Sequence, residues 1–160
     1  MSNETLFYLI PPEGSERYNA LIKYCNDNQT EVLRYLPIVA QVMINDGVEY
    51  DILFEYIRRN GGVYVRLGNR SKWFKKYMSH EAIETLKDIS SPNILIPTAN
   101  SVISSLRNLA IDQEIRKVAT DPADRKAGTG LSEIARKYGM SARYIRYRQI
   151  DLLPDTAMPA

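Results

Sequence analysis

The sequence contains few of the residues from which reactive or metal-binding sites are built, with one cysteine and one histidine among 160 residues. Cys25 alone cannot form an internal disulfide, and Cys25 and His80 are too few for a zinc site made of several such ligands. No nucleophile stands at a recognisable spacing from a base, as covalent catalysis requires. We therefore expect no enzyme activity, no catalytic residue, no metal and no cofactor. Cys25 is expected in the core, and His80 at a helix start or on the surface.

Long apolar segments are also missing. No apolar run approaches the roughly 18–20 residues that a membrane-spanning helix requires. The first five residues, Met-Ser-Asn-Glu-Thr, have neither the basic start nor the apolar block of a signal peptide. We therefore expect a cytoplasmic protein with no membrane partner. With 160 residues the chain is long enough for one or two domains, and a hydrophobic content of 44% is enough for a real core.

Charge is nearly balanced over the whole chain, with a net charge of +2, but it is unevenly distributed. The segment from Arg125 to Arg148 contains seven Lys or Arg and one acid, whereas the rest of the chain contains 14 basic and 18 acidic residues. A basic pole of this kind favours binding to a polyanion such as nucleic acid.

Within this basic pole, residues 131–150 read Leu-Ser-Glu-Ile-Ala-Arg-Lys-Tyr-Gly-Met-Ser-Ala-Arg-Tyr-Ile-Arg-Tyr-Arg-Gln-Ile. Apolar residues at three- and four-residue spacing predict a helix that ends at Tyr138. Gly139 follows directly and can adopt a left-handed conformation without a Cβ penalty, and Ser141 can cap a second helix. The segment therefore predicts two short helices joined by a turn of about three residues, as in a DNA-binding helix-turn-helix.

The second of these helices carries arginines and tyrosines, which bind phosphates and reach base edges in the major groove. Its first residues are expected to point into the groove, so that Ala142, Arg143 and Arg146 face the bases. Its tyrosines and Arg148 are expected to lie near the flanking DNA backbone or in the motif's own core. The cations of the first helix are expected to contact DNA phosphates. The predicted DNA-binding residues are Arg136, Lys137, Ser141, Ala142, Arg143, Tyr144, Arg146, Tyr147, Arg148 and Tyr64. The alternative interpretation is an ordinary helical hairpin with a solvated basic face.

In the N-terminal part, helical spacing of apolar residues predicts three helices, over about 16–26, 30–45 and 48–59. Pro37 is expected to kink or restart the second helix, because proline removes a helix hydrogen bond. That helix carries large aliphatic residues on nearly every turn, more than a three-helix unit of this size needs. The surplus predicts a homodimer through residues 15–60, and a compact monomer core is the alternative.

Two short aliphatic runs, Val63–Leu67 and Ile94–Pro97, each predict a strand that leads into an amphipathic helix. The first of these helices is expected to begin at Asn69 or Ser71 and to include Leu86. Its lysines form a second basic patch, which is explained either by a solvated helix face or by contact with DNA phosphates.

These patterns predict a mainly α-helical fold with one or two short β-strands. The predicted regions are a helical dimerisation region (1–62), a strand–helix connecting region (63–118), a linker (119–130), a helix-turn-helix DNA-binding region (131–153) and a tail (154–160).

Three segments together resemble a known family: Gly61-Gly62, the strand Val63-Tyr64-Val65, and Leu131-Ser-Glu-Ile-Ala-Arg-Lys-Tyr-Gly-Met-Ser. This order of parts is similar to that of the Mor, or middle operon regulator, family of bacteriophage transcription activators. The family's Ile-Pro sequence appears here at Ile96-Pro97, so either strand is a candidate for the family's strand. Arg148 stands where many such motifs have an aliphatic core residue.

The resemblance implies an intertwined homodimer through the N-terminal helices, contact with host RNA polymerase, and a location at the nucleoid of a bacterial host. It also implies a strand near the dimer axis that touches the minor groove. We accordingly predict that Tyr64 lies in a strand that pairs with its symmetry mate or lies close to DNA.

The leading functional interpretation is a dimeric, sequence-specific DNA-binding transcription regulator of a phage or mobile genetic element, expected to be an activator. A nucleic-acid-binding assembly or packaging protein with the same motif and no promoter control is the alternative. Oligomeric state separates the two, because a dimer suits a palindromic operator and a ring suits packaging. A helical interaction protein without a nucleic-acid role is a third interpretation, which the salt dependence of binding would distinguish.

Overall fold

The computed structural model describes residues 7, 9–68, 71–89, 93–120 and 129–152. Within this part of the chain it contains nine α-helices and one two-stranded antiparallel sheet, which confirms the mainly helical fold predicted from the sequence. In chain order the elements are α1 (Glu16–Asp27), α2 (Gln29–Tyr35), α3 (Ile38–Asn45), α4 (Tyr50–Asn60), β1 (Tyr64–Arg66), α5 (Lys72–Tyr77), α6 (His80–Ile89), β2 (Asn93–Leu95), α7 (Ala99–Thr120), α8 (Thr129–Lys137) and α9 (Ala142–Leu152). None of these helices is both long and apolar enough to cross a membrane. The predicted tail and most of the predicted linker lie outside the described residues.

The described residues fall into two compact units. Those up to Leu106 form the N-terminal unit, and those from Arg107 onward form the C-terminal unit. The division lies inside α7, within the predicted strand–helix connecting region (63–118). Residues 99–120 contain no glycine or proline, so no local signal ends the helix where the division occurs.

Local signals set the bounds of the first helices. Ser15 has an extended backbone, and its hydroxyl accepts a hydrogen bond from the Tyr18 amide at 3.1 Å, so it is the N-cap of α1. Pro37 divides the predicted second helix in two, because α2 ends at Tyr35 and α3 begins at Ile38. This confirms the restart expected at a residue that cannot continue a helix.

The apolar helix α3 packs against both α4 and α6. It buries Val39, Ala40, Met43 and Ile44, while Ile38 at its start is half exposed. These four apolar residues are therefore buried within the chain, where α3 contacts α4 and α6. The homodimer through residues 15–60 remains a prediction that this packing does not require.

The single helix predicted to include Leu86 is in fact two helices, α5 and α6, so that prediction was wrong. Met78 has an extended backbone, with φ −127° and ψ 150°, and ends α5. The Ser79 hydroxyl then accepts a hydrogen bond from the Ala82 amide at 3.2 Å. The carboxylate of Asp46 accepts hydrogen bonds from the Ser79 amide at 2.7 Å and from its hydroxyl at 2.6 Å. A residue distant in sequence thus stabilises the break.

The two predicted strands pair with each other. The antiparallel register places Tyr64 opposite Leu95, Val65 opposite Ile94, and Arg66 opposite Asn93. Ile94 is fully buried, whereas Tyr64 and Leu95 are 69% and 46% exposed. The alternation gives the sheet one face on the core of the N-terminal unit and one exposed face. One edge of β1 is therefore occupied by β2 of the same chain, and the expected pairing of Tyr64 with a symmetry mate stays a prediction.

Candidate nucleic-acid interface

The C-terminal unit is built around a small aliphatic core. Its buried residues are Ile111 and Ile115 from α7, Ile134 and Ala135 from α8, and Ile145 from α9. Partly buried side chains surround them, namely Val118, Leu131, Tyr138, Met140, Tyr144 and Leu152. Each of the three helices therefore contributes an apolar stripe, and burial of these stripes holds α8 and α9 in a fixed arrangement.

The turn between α8 and α9 forms as the sequence predicts. Gly139 has a φ of +65°, which an L side chain rarely adopts. The amide of Met140 donates to the Ala135 carbonyl at 2.8 Å, which satisfies one of the last carbonyls of α8. The Ser141 hydroxyl accepts a hydrogen bond from the Tyr144 amide at 3.1 Å, so it caps α9. The predicted cap residues on both sides of the turn are confirmed.

Arg148 on α9 is held by a buried carboxylate on α7. Its Nε and Nη2 atoms donate to the two carboxylate oxygens of Asp112, each at 2.6 Å, and its Nη1 donates to the Tyr144 hydroxyl at 3.2 Å. Asp112 is 1% exposed, and no other charged residue of the described part of the chain is buried. The hydrogen bond to Asp112 raises the pKa of the Arg148 guanidinium above its usual range, against the lowering effect of burial. Many such motifs have an aliphatic core residue at the position of Arg148. Here the arginine at that position forms an ion pair with the buried Asp112.

Lys137 at the end of α8 is also paired. Its Nζ lies 2.6 Å from a carboxylate oxygen of Glu114, and about a third of the lysine side chain is exposed. Two of the cations predicted to bind DNA, Lys137 and Arg148, are thus neutralised within the unit by carboxylates of α7.

Three other arginines remain exposed on this unit: Arg136, Arg143 and Arg146. None of them forms an ion pair with a carboxylate of the described residues. Arg143 Nη2 donates to the Tyr147 hydroxyl at 3.2 Å, and its guanidinium carbon lies 5.5 Å from the centre of the Tyr147 ring. This contact positions the arginine without removing its charge.

The exposure of the other predicted residues supports a division of α8 and α9 into two faces. Ser141, Ala142 and Tyr147 are exposed, Tyr144 is half-buried, and Ile145 is fully buried. The start of α9 therefore presents its small and basic residues to solvent, while Ile145 anchors the opposite side. The remaining predicted contact, Tyr64, belongs to the N-terminal unit.

Sequence reasoning missed two acids of α7, Asp112 and Glu114, which form ion pairs with cations of α8 and α9. Asp112 follows the buried Ile111 and lies three residues from the buried Leu109 and Ile115, so an acid within an apolar stripe was a signal for a buried partner. Nothing in the sequence identified that partner, because Arg148 is 36 residues away along the chain. Glu114 gave no comparable signal.

Cys25 and His80 take the positions expected of them. Cys25 is fully buried, and burial raises the pKa of its thiol. His80 is exposed at the first residue of α6. Among the described residues, no group of three or more His, Cys, Asp or Glu side chains is arranged to hold a metal ion.

Comparison with protein-family models, with curated proteins and with solved structures finds no match to the chain. The resemblance to the Mor activators therefore rests on the residues of the glycine–strand segment and of residues 131–141 alone.

Proposed function

We propose that the chain is a sequence-specific DNA-binding transcription regulator of a phage or mobile genetic element, in which α8 and α9 form a helix-turn-helix. The observation that carries the proposal is the exposure of Arg136, Arg143 and Arg146, which have no carboxylate partner among the residues that the structure describes, on a helix pair whose other two cations are neutralised. Unpaired arginines on a rigid helix pair suit binding to a polyanion. The resemblance to the Mor activators supports a role at a promoter.

Within this proposal the arginines have different tasks. Arg143 and Arg146 lie three residues apart near the start of α9 and share its exposed face, opposite the buried Ile145. They read base edges in the major groove, where an arginine binds guanine through two hydrogen bonds. Arg136 at the end of α8 binds a phosphate. Arg148 holds α9 in place through Asp112 and contributes little to the contact itself.

Lys137 provides a matched control because it lies next to Arg136 in α8 but is paired with Glu114. The experiment starts with selection of a binding site from a random pool of duplexes, followed by fluorescence anisotropy on the selected duplex and on a scrambled one. Arg143→Ala is expected to weaken binding to the selected duplex by about 1–3 kcal/mol and to change binding to the scrambled duplex much less. Arg136→Ala should weaken both and reduce the salt slope by about one unit. Lys137→Ala should have a smaller effect on both than Arg136→Ala.

Two outcomes would contradict the proposal. One is a selection that enriches no sequence and a protein whose affinity for DNA does not fall with rising salt. The other is an Arg143→Ala variant, folded by circular dichroism, that loses affinity equally for both duplexes. Light scattering of the protein–DNA complex then gives its stoichiometry, and two chains on a palindromic site would support the dimer predicted from the sequence.

A further inference from the structure

The N-terminal unit contains a cavity of about 700 Å³ that lies between α4, β1 and α5. Its volume is within the range typical of small-molecule sites. Its lining combines aromatic, basic and acidic side chains, and it shares no residue with the proposed helix-turn-helix.

Aromatic rings form one wall of this cavity. The rings of Tyr56 and Trp73 are stacked, with their centres 4.0 Å apart and their planes inclined by 27°. Tyr77, one turn further along α5, places its ring centre 5.0 Å from that of Trp73. Tyr56 is buried, whereas Trp73 and Tyr77 are partly exposed and line the cavity. The wall is therefore a supported aromatic surface against which a flat ring can pack.

Three cations line the same cavity, namely Arg59 from α4, Arg66 from β1 and Lys72 from α5. All three are exposed, and none forms an ion pair with a carboxylate of the described residues. Arg58, the neighbour of Arg59, is by contrast paired with Glu55 at 3.2 Å. Cations from three separate elements thus line one cavity without an ion pair among the described residues, which favours an anionic ligand.

Three carboxylates also line the cavity, from Glu13, Asp51 and Glu55, and Glu55 is paired with Arg58 at 3.2 Å. Asp51 lies on the same face of α4 as Arg59 but two turns earlier, about 12 Å along the helix axis. Asp51 at this distance from Arg59, and Glu55 in its pair with Arg58, leave room for an anion at Arg59. They also provide acceptors for hydroxyl or amino groups, as acidic residues do for ribose in dinucleotide-binding folds.

We propose that this cavity binds a nucleotide, with its base against Trp73 and Tyr77 and its phosphate at Arg59, Arg66 and Lys72. A nucleotide is the ligand class that uses all three parts of the lining, since it carries a flat ring, hydroxyl and amino donors, and an anionic group. The ligand is either a free nucleotide or one unpaired nucleotide of a single strand, because both present the same groups. This proposal does not depend on DNA binding by the C-terminal unit.

Trp73 is the only tryptophan of the chain, so its fluorescence reports on this cavity alone. The full chain is titrated with each of the four ribonucleoside monophosphates, with adenosine, with inorganic phosphate and with a short oligoadenylate. Excitation at the red edge of the indole band avoids absorption by the bases, and calorimetry gives a second affinity. The test variant is the double substitution Arg59→Gln and Arg66→Gln, and the control is Arg34→Gln, an exposed arginine on α2 outside the cavity.

We expect saturable quenching by at least one monophosphate, with adenosine and phosphate each binding about tenfold more weakly or worse. The double variant should lose about tenfold in affinity and Arg34→Gln less than about twofold. An oligoadenylate that binds much more tightly than the monophosphate, with the same loss in the double variant, identifies a single strand as the source, and equal affinity identifies the free nucleotide. The proposal is overturned if no monophosphate or oligoadenylate gives saturable binding. It is also overturned if the double variant, folded by circular dichroism, binds as tightly as the unmodified chain.

Discussion

The ion pair between Asp112 and Arg148 predicts an unequal response to removal of its two members. Arg148→Met leaves a carboxylate that is 1% exposed without its guanidinium. Breaking a buried ion pair from one side costs about 3–5 kcal/mol, because the remaining charge stays buried. Asp112→Asn leaves Arg148, whose side chain is 24% exposed and which still donates to Tyr144. Since an amide oxygen can retain one of the two hydrogen bonds, this variant should cost only about 1–3 kcal/mol.

The double variant Asp112→Leu with Arg148→Met tests whether the cost comes from the buried carboxylate that has lost its guanidinium. Apolar replacement of both members of a buried pair is often neutral, within about 1 kcal/mol, so this variant should recover most of the stability lost in Arg148→Met. The difference between the double variant and the sum of the singles measures the coupling of the two residues.

Hydrogen exchange of amides in residues 131–151, followed by mass spectrometry in the full chain, reports the stability of the C-terminal unit. Trp73 fluorescence in urea follows the N-terminal unit and serves as the internal control. Arg148→Met should accelerate exchange in α8 and α9 and leave the urea midpoint seen by Trp73 unchanged. An Arg148→Met variant that is as stable as Asp112→Asn, or a double variant less stable than both singles, would refute this account of the pair.

Two further predictions concern the turns that bound the helices. Gly139→Ala should destabilise the C-terminal unit by about 1–2 kcal/mol, because alanine is strained at a φ of +65° although no atom lies within 4 Å of its Cβ position. Gly68→Ala is the control, since that site is equally open and has no positive φ, and its urea midpoint should barely move. Asp46→Ala removes both hydrogen bonds to Ser79 and should destabilise the N-terminal unit by about 1–2 kcal/mol in urea unfolding followed by Trp73 fluorescence. Asp27→Ala, which removes only an exposed pair with Lys23, should cost less than about 0.5 kcal/mol, and a larger loss there than in Asp46→Ala would contradict the argument.

Features set by neighbouring residues could be predicted from the sequence. Gly139 and Ser141 determine the turn after α8 through their own backbone and side-chain preferences, and Pro37 restarts a helix for the same kind of reason. Ser15 likewise caps α1 through a residue three positions away. In each case the signal and the structure it specifies lie within one helical turn.

Features set by distant residues could not be predicted. The break after Met78 depends on Asp46, and Ser79 alone gave too weak a signal against the apolar stripe that continues to Leu86. The exposed basic face of α9 was predicted from composition, but Asp112 decides that Arg148 is not part of it. Charge counted along the chain therefore overestimates the charge that a partner meets, because it includes cations that the fold neutralises.

The short sheet also bears on how the chain behaves when it is concentrated. A two-stranded sheet has only edge strands, and edges with unpaired amides and carbonyls recruit strands from other molecules when they are long and flat. Here each strand spans three residues, and Arg66 places a charge at the end of β1. Each edge therefore offers backbone groups for one short strand, such as that of a symmetry mate, and not for a long, flat sheet. The exposed Tyr64 and Leu95 therefore lie on a surface that resists ordered β-aggregation despite its apolar character.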